Sequence, residues 1–84
     1  MADERIAAPV REFITRSFNG ARVGDGDDIF ALGFANSLFA MQLVAFVEKE
    51  FALEIDSDDL EIDNFRSIDA ISGLIARKQV AAAG

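Results

Sequence analysis

Ser37 is the residue of this sequence that is best placed to do chemistry. It lies in the segment GFANSLFAMQLV, where a long irregular stretch meets a mostly apolar one. A serine becomes a strong nucleophile when a histidine activates it, but the sequence contains no histidine and no cysteine. We therefore expect that the chain is not an enzyme, and a serine hydrolase is the least favoured alternative. Taken alone, Ser37 is more simply interpreted as a helix-start residue beside the cap Asn36.

Carboxylates are the second group that could do chemistry, and they are concentrated in one segment. Residues 48–63 contain eight of the 15 acidic residues and a single basic one, Lys49. Neither residues 56–61 nor residues 25–30 supply the alternating oxygen ligands, with a glycine at the sixth position, of an EF-hand loop, so we predict no metal site. The cluster fits two interpretations equally well: a docking rim for partners with basic patches, or a solvated acidic face.

The charge and length of the chain limit the classes of protein to which it can belong. The formal net charge is −7, which repels phosphate backbones and anionic membranes, so neither nucleic acid nor a membrane is an expected partner. The sequence shows no signal-peptide core and no apolar run of membrane-spanning length, and we expect a cytoplasmic protein. Its 84 residues fit one domain, residues 1–84, and Met1 with the intact-looking ends favours a free-standing chain over an excised one.

The segment before Ser37 predicts a helix followed by a long loop. Apolar spacings of four, three and one indicate an amphipathic helix that ends at about Ser17: Ile6, Val10, Phe13 and Ile14. Pro9 argues against a regular start of this helix before Ala7 or Ala8. Residues 18–36 contain four glycines and three aspartates that interrupt any period. Large apolar residues within this loop are predicted to anchor it to the core: Ile29, Phe30, Leu32 and Phe34.

A second helix is predicted from Ser37 to about Phe51, with Asn36 as its N-cap. Apolar residues surround nearly its whole circumference, so a small bundle cannot bury all of them. The stripe predicted to face the core is Leu43, Val47 and Phe51. The residues off that stripe form a candidate partner-facing patch: Leu38, Met41 and Ala45. An equally weighted alternative is that Leu38 and Met41 belong to the core.

The remainder predicts an extended link, a short helix or turn, and a last helix. Phe65 is predicted to fill the core, and Ser67 to cap the last helix. Helical spacing selects the core residues of that helix: Ile68, Ile71, Leu74 and Ile75. Arg77 and Lys78 would lie near its C-terminal end, and residues 78–84 would be a frayed tail. The expected fold is all-α, a four-helix bundle with three longer helices and one short helix, and a long loop between helices 1 and 2.

The order and spacing of residues 28–75 resemble those of the acyl carrier and peptidyl carrier proteins. The matching residues lie between positions 28 and 75: Phe30, Leu32, Gly33, Ser37, Leu38, Leu43, Val44, Glu48, Phe51, Asp59, Leu60, Asn64, Phe65, Ile68 and Ile71. In that family the serine of an Asp-Ser-Leu motif at the start of the second helix carries 4′-phosphopantetheine, and Ser37 is the matching residue. The resemblance therefore implies a covalent cofactor on Ser37 and an acyl group held on it as a thioester. A helix N-terminus, with its unpaired N–H groups, suits the phosphodiester that such an attachment makes.

The resemblance also implies the partners, which are a phosphopantetheinyl transferase and acyl-loading and acyl-processing enzymes with basic docking patches. The docking residues would be Leu38, Met41, Ala45, Asp58, Asp59 and Glu61. We expect the chain to be a monomer. Two alternatives stay open, an aminoacyl or peptidyl carrier and a non-modified acidic helical adaptor that would not need a serine at position 37.

Two departures from the family pattern bear on the pathway. Asn36 stands where the family usually has aspartate. Asparagine keeps the capping oxygen but lacks the negative charge that, in the family, helps to engage the transferase and its magnesium. The first half of the second helix also lacks the acids typical of fatty-acid carriers. In these respects the chain is similar to free-standing carriers of polyketide or nonribosomal peptide pathways, including those for unusual malonyl-type extender units used in antibiotic biosynthesis.

Overall fold

The computed structural model describes residues 3–33 and 35–83. All regular secondary structure in these residues is helical. Within those residues there are four α-helices and a short 3₁₀ turn, and no strand: α1 (Glu4–Ser17), α2 (Ser37–Phe51), the 3₁₀ turn (Ser57–Asp59), α3 (Ile62–Phe65) and α4 (Ile68–Ala83). The predicted all-α bundle of three longer helices and one short helix is confirmed. None of the described helices is both long enough and apolar enough to cross a membrane.

Helix α1 begins earlier than the sequence predicts, at Glu4, and Pro9 lies inside it. The Asp3 side chain caps the helix, accepting a hydrogen bond from the Arg5 N–H at 2.9 Å. Pro9 has no N–H to offer the carbonyl of Arg5, four residues earlier, but Arg5 is exposed, so water can satisfy that carbonyl. The prediction that Pro9 prevents a start before Ala7 is therefore wrong.

The core is formed by one face each of α1, α2 and α4. Its helical members are buried and follow the predicted spacing closely: Ile6, Ala7, Val10 and Ile14 of α1, Phe39, Leu43 and Val47 of α2, and Ile68, Ile71, Leu74 and Ile75 of α4. Phe65 of α3 fills the gap between them, as predicted, and Phe51 is half-buried against the same cluster. This apolar face burial is the main stabilising contribution to the fold.

The long loop between α1 and α2 packs on the core through fewer residues than predicted. Ile29 is fully buried and Phe30 packs against the core at its edge, which confirms two anchors. Leu32 is 53% exposed, so its predicted anchoring role is wrong. The reason is local: Leu32 lies in the turn around residues 29–33, which projects from the surface. Phe34 lies outside the described residues. Val23, which was not predicted to be an anchor, is buried.

Helix α4 begins as predicted and ends later. Ser67 caps it, since its Oγ accepts a hydrogen bond from the Ala70 N–H at 3.0 Å. The helix continues to Ala83 because residues 79–83 hold no glycine or proline and include alanine, the best helix former. Arg77 and Lys78 thus lie in its middle, and the prediction that they flank its C-terminal end is wrong. Fraying of the tail beyond Lys78 stays a prediction, and Gly84 lies outside the described residues.

Candidate functional site

Ser37 is the first residue of α2 and its side chain is exposed. The preceding residue, Asn36, has an extended backbone, and its Oδ1 accepts a hydrogen bond from the Phe39 N–H at 2.9 Å. The predicted N-cap is therefore confirmed. The Ser37 hydroxyl makes no hydrogen bond to any residue in the described ranges. The cap holds the helix start in a fixed conformation and leaves the serine hydroxyl available.

The backbone at this helix end favours an anion. Of the first N–H groups of α2, that of Phe39 is taken by the Asn36 side chain and that of Ala40 by the Asn36 carbonyl at 2.9 Å. The N–H groups of Ser37 and Leu38 have no partner among the described residues. The first turn also contains no acidic residue. The positive end of the helix dipole is thus uncompensated beside an exposed hydroxyl, which suits a phosphate group attached there.

A groove of about 250 Å³ opens beside Ser37, between α2 and the segment that contains α3. One side is formed by α2 and the other by the loop, the link after the 3₁₀ turn, and α3. Its lining is apolar apart from Ser37 and Glu61: Phe30, Ala40, Met41, Val44, Leu60, Ile62 and Phe65. A flexible group anchored on Ser37 would therefore start at the mouth of an apolar groove.

The candidate partner-facing patch on α2 is exposed. Leu38 and Met41 are 69% and 61% exposed, and Ala45 is exposed as well. The alternative that Leu38 and Met41 are core residues is therefore wrong. The three residues follow an i, i+3, i+7 spacing and share one face of the helix. Of the three, Met41 also borders the groove, so the patch and the groove form one continuous surface around Ser37. Their contact with partners stays a prediction.

The three predicted docking carboxylates differ in how they are engaged. Asp59 Oδ2 accepts hydrogen bonds from Lys78 Nζ at 2.8 Å and from the Asp56 N–H at 3.1 Å. The Lys78 ammonium, and after it the Asp56 N–H, hold the pKa of Asp59 below its usual range. Asp59 therefore joins the 3₁₀ turn to α4. Asp58 and Glu61 are exposed and have no cation partner within the described part of the chain.

Most of the groove lining was not predicted from the sequence. Leu60 and Ile62 are large apolar residues that are about half exposed or more, at 49% and 60%, within an otherwise acidic segment. That contrast was a visible signal, because an acidic solvated link has no need of large apolar side chains. Phe30 was predicted only as a core anchor, and it also forms a wall of the groove.

The chain matches a known family over most of its length. The family model described as a phosphopantetheine attachment site matches residues 6–75. The matched region contains Ser37, the groove and the core-forming part of all four helices. A comparison with curated proteins gave no match.

Proposed function

Since the chain belongs to the phosphopantetheine attachment family, and is therefore a carrier protein that holds acyl groups on a covalent phosphopantetheine arm, we propose that this arm is attached to Ser37. The observation that carries the proposal is the state of the serine itself. Its hydroxyl is exposed at a capped helix start, and neither this hydroxyl nor the two adjacent backbone N–H groups have a partner within the described residues. The arm supplies a thiol on which an acyl group is held as a thioester.

The four other serines of the sequence fit the role less well. Ser67 and Ser72 are buried, and the Ser67 hydroxyl is used as the cap of α4. The Ser17 hydroxyl donates to the Phe13 carbonyl at 2.8 Å at the end of α1, where the helix dipole is negative. Ser57 is exposed, but it lies in a 3₁₀ turn among carboxylates that would repel a phosphate. These contrasts favour Ser37.

The residues around Ser37 fit a phosphodiester and an apolar cargo. Asn36 caps the helix start. The N–H groups of Ser37 and Leu38, which have no partner among the described residues, would lie close to the anion, and Met41 with Val44 offers an apolar wall to the group that the arm carries. Asn36 brings no negative charge to this end. Transferases that depend on a carboxylate before the serine would therefore modify this chain more slowly.

We propose a docking face made of the patch on α2 and the two free carboxylates near α3. Its members are Leu38, Met41, Ala45, Asp58 and Glu61. Asp59 contributes by holding the 3₁₀ turn that presents Asp58. The partners would be a phosphopantetheinyl transferase and acyl-loading and acyl-processing enzymes, each with a mixed apolar and basic contact surface.

The pathway that we propose is polyketide or nonribosomal peptide assembly, with a malonyl-type extender unit as cargo. The support is the uncharged first half of α2 together with Asn36, which is the pattern of free-standing carriers in those pathways. Offering the modified protein to a malonyl-type acyltransferase and to an amino-acid-adenylating enzyme separates this proposal from an aminoacyl carrier. Loading by the adenylating enzyme alone would replace it.

The attachment site is tested by intact-protein mass spectrometry after incubation with coenzyme A, magnesium and a broad-specificity transferase. Wild type and Ser57→Ala should each gain one phosphopantetheine group, and Ser37→Ala should gain none while keeping its helical circular dichroism spectrum. If Ser37→Ala were still modified, the site would be wrong. If wild type were never modified by several transferases, the non-modified adaptor would be the better interpretation.

A further inference from the structure

The loop between α1 and α2 holds the junction of α3 and α4 through two backbone hydrogen bonds. The Ile29 N–H donates to the Arg66 carbonyl at 2.7 Å, and the Asp69 N–H donates to the Asp25 carbonyl at 2.9 Å. The second bond satisfies one of the N–H groups that α4 leaves unpaired in its first turn. Because Arg66 and Asp69 bracket the junction, loop residues 25–29 fix the point at which α3 ends and α4 begins.

An ion pair fastens the same loop to α1. Arg11 Nε and Nη2 donate to Asp25 Oδ1 and Oδ2 at 3.0 and 2.8 Å, a two-pronged geometry that is stronger than a single contact. Arg11 Nη2 also contacts Glu4 Oε2 at 3.1 Å, within α1. The Arg11 and Asp25 side chains are 34% and 38% exposed, so they are partly shielded from solvent. Asp25 thus binds α1 through its carboxylate and α4 through its carbonyl.

The junction that the loop holds carries one wall of the groove beside Ser37. Helix α3 has four residues, Ile62–Phe65, and its first and last residues both line the groove. A helix of this length is not stable by itself, so its position depends on the segments to which it is bound. Phe30, one residue after Ile29 in the loop, lines the same groove. The loop therefore contacts the groove directly and also positions its far wall.

We propose that Arg11 and Asp25 are a positioning pair that keeps the α3 wall of the groove in place. Breaking the ion pair loosens residues 25–29, which releases the Arg66 and Asp69 bonds and lets α3 move away from α2. The Arg11–Asp25 ion pair would thereby determine the shape of the groove that a group anchored on Ser37 contacts. That last consequence rests on the proposed function, whereas the restraint on α3 does not.

Amide hydrogen exchange of the unmodified protein tests the restraint independently of Ser37 chemistry. Asp25→Asn removes the charge and keeps the backbone carbonyl, and Asp3→Asn is a matched control that breaks the exposed Arg5–Asp3 pair of α1 without touching the loop. We expect exchange of residues 62–66 to rise by about fivefold in Asp25→Asn relative to Leu43 and Val47 of the core, the size of effect that a partly exposed ion pair supports. The control should leave this ratio unchanged.

A salt series distinguishes positioning from a general contribution to stability. Raising the salt to about 1 M, where the Debye length is about 3 Å, should speed exchange of residues 62–66 more in wild type than in Asp25→Asn. The exposed Arg66–Asp63 pair within these residues is present in both proteins, so its screening contributes equally to both. Arg11→Lys keeps the charge without the two-pronged geometry, and should give an intermediate exchange rate even if Asp25→Asn fails to fold. A uniform rise across the core, or no change in residues 62–66, would overturn the proposal.

Discussion

At the scale of single residues, Asn36 determines how Ser37 is presented. Its Oδ1 accepts the Phe39 N–H and its carbonyl accepts the Ala40 N–H, so one residue satisfies two donors of the first turn. The N–H groups of Ser37 and Leu38 have no partner in the described part of the chain and could bind an anion. An aspartate at this position would cap equally well and would add a negative charge close to the Ser37 hydroxyl. Asparagine therefore caps the helix without adding a negative charge.

Substitution of Asn36 tests the cap and the charge separately. Asn36→Ala should lower the free energy of unfolding by about 1 kcal/mol because it removes the cap, and Asn36→Asp should keep or slightly raise it. In parallel, Asn36→Asp should speed modification by transferases that use a carboxylate before the serine. Urea unfolding measures the first effect and initial rates of phosphopantetheine transfer the second. A fully stable Asn36→Ala protein would show that the cap does not hold the helix start.

Asp59 makes the stability of the fold depend on pH. The Lys78 ammonium keeps the pKa of Asp59 below its usual range in the folded protein. A carboxyl whose folded pKa is lowered adds stability that is present above its unfolded pKa of about 3.9 and is lost as the pH falls through the lower folded value. Asp25, whose pKa is lowered by Arg11, contributes in the same direction.

The expected profile is a stability that stays level from neutral pH to about pH 5 and falls below about pH 4. Asp59→Asn should make this fall shallower, because its contribution is already absent at neutral pH. Urea unfolding at a series of pH values is the measurement. Equal profiles for Asp59→Asn and wild type would show that the Lys78 pair adds nothing to stability.

The free carboxylates lead to a prediction about partner association. Asp58→Lys and Glu61→Lys should each slow association with a phosphopantetheinyl transferase severalfold at low salt, and much less at about 0.5 M salt, where exposed charges are screened. Stopped-flow or surface-based kinetics would measure the rates. Glu54→Lys is a suitable control, since Glu54 is exposed but lies away from the groove. Rates that did not depend on salt would show that the acidic segment is a solvated face that does not contribute to docking.

At the scale of elements, α2 has two apolar faces, one buried in the core and one exposed. Leu43 and Val47 are fully buried, whereas Leu38 and Met41 are mostly exposed on a separate face of the same helix. An exposed apolar face adjacent to a groove is a common feature of interaction surfaces. The helix is thus held to the bundle by one face and leaves the other exposed, with Ser37 at its start. We propose that partners bind to this exposed face.

Substitutions on the two faces of α2 should therefore separate stability from docking. Leu43→Ala should lower the free energy of unfolding by about 2–4 kcal/mol, whereas Leu38→Gln should change it by less than about 0.5 kcal/mol. Leu38→Gln should instead raise the KM of the transferase for this protein. Urea unfolding and steady-state transfer kinetics are the measurements. A large stability loss in Leu38→Gln would contradict the assignment of this face to partners.

At the scale of the whole molecule, the sequence predicted the elements better than the contacts between them. The apolar periodicity of α1, α2 and α4 predicted their core faces because each helix buries one stripe wherever it packs. The Asn36 cap is a local feature and was equally visible. The start of α1 was predicted too late because Asp3 and the exposure of Arg5 offset the effect of Pro9, and a single proline does not reveal that.

What could not be predicted depends on residues that are far apart in the chain. Lys78 was expected to interact with the end of α4, and it contacts Asp56 and Asp59, which lie about twenty positions away. The groove exists because Phe30 of the loop and residues of α3 line the same space, and the apolar periodicity of a sequence does not predict such long-range proximity. The same holds for Asp25, whose two contacts join α1 and α4 across the loop.

The most direct test of the account is localisation of the arm on the wild-type protein itself. After transfer from coenzyme A, the protein would be digested and the modified peptide fragmented by tandem mass spectrometry. We expect one phosphopantetheine group, on Ser37, in the peptide that also contains Asn36 and Leu38. An arm found on Ser57, or on any other side chain, would contradict the assignment of the α2 start as the attachment site.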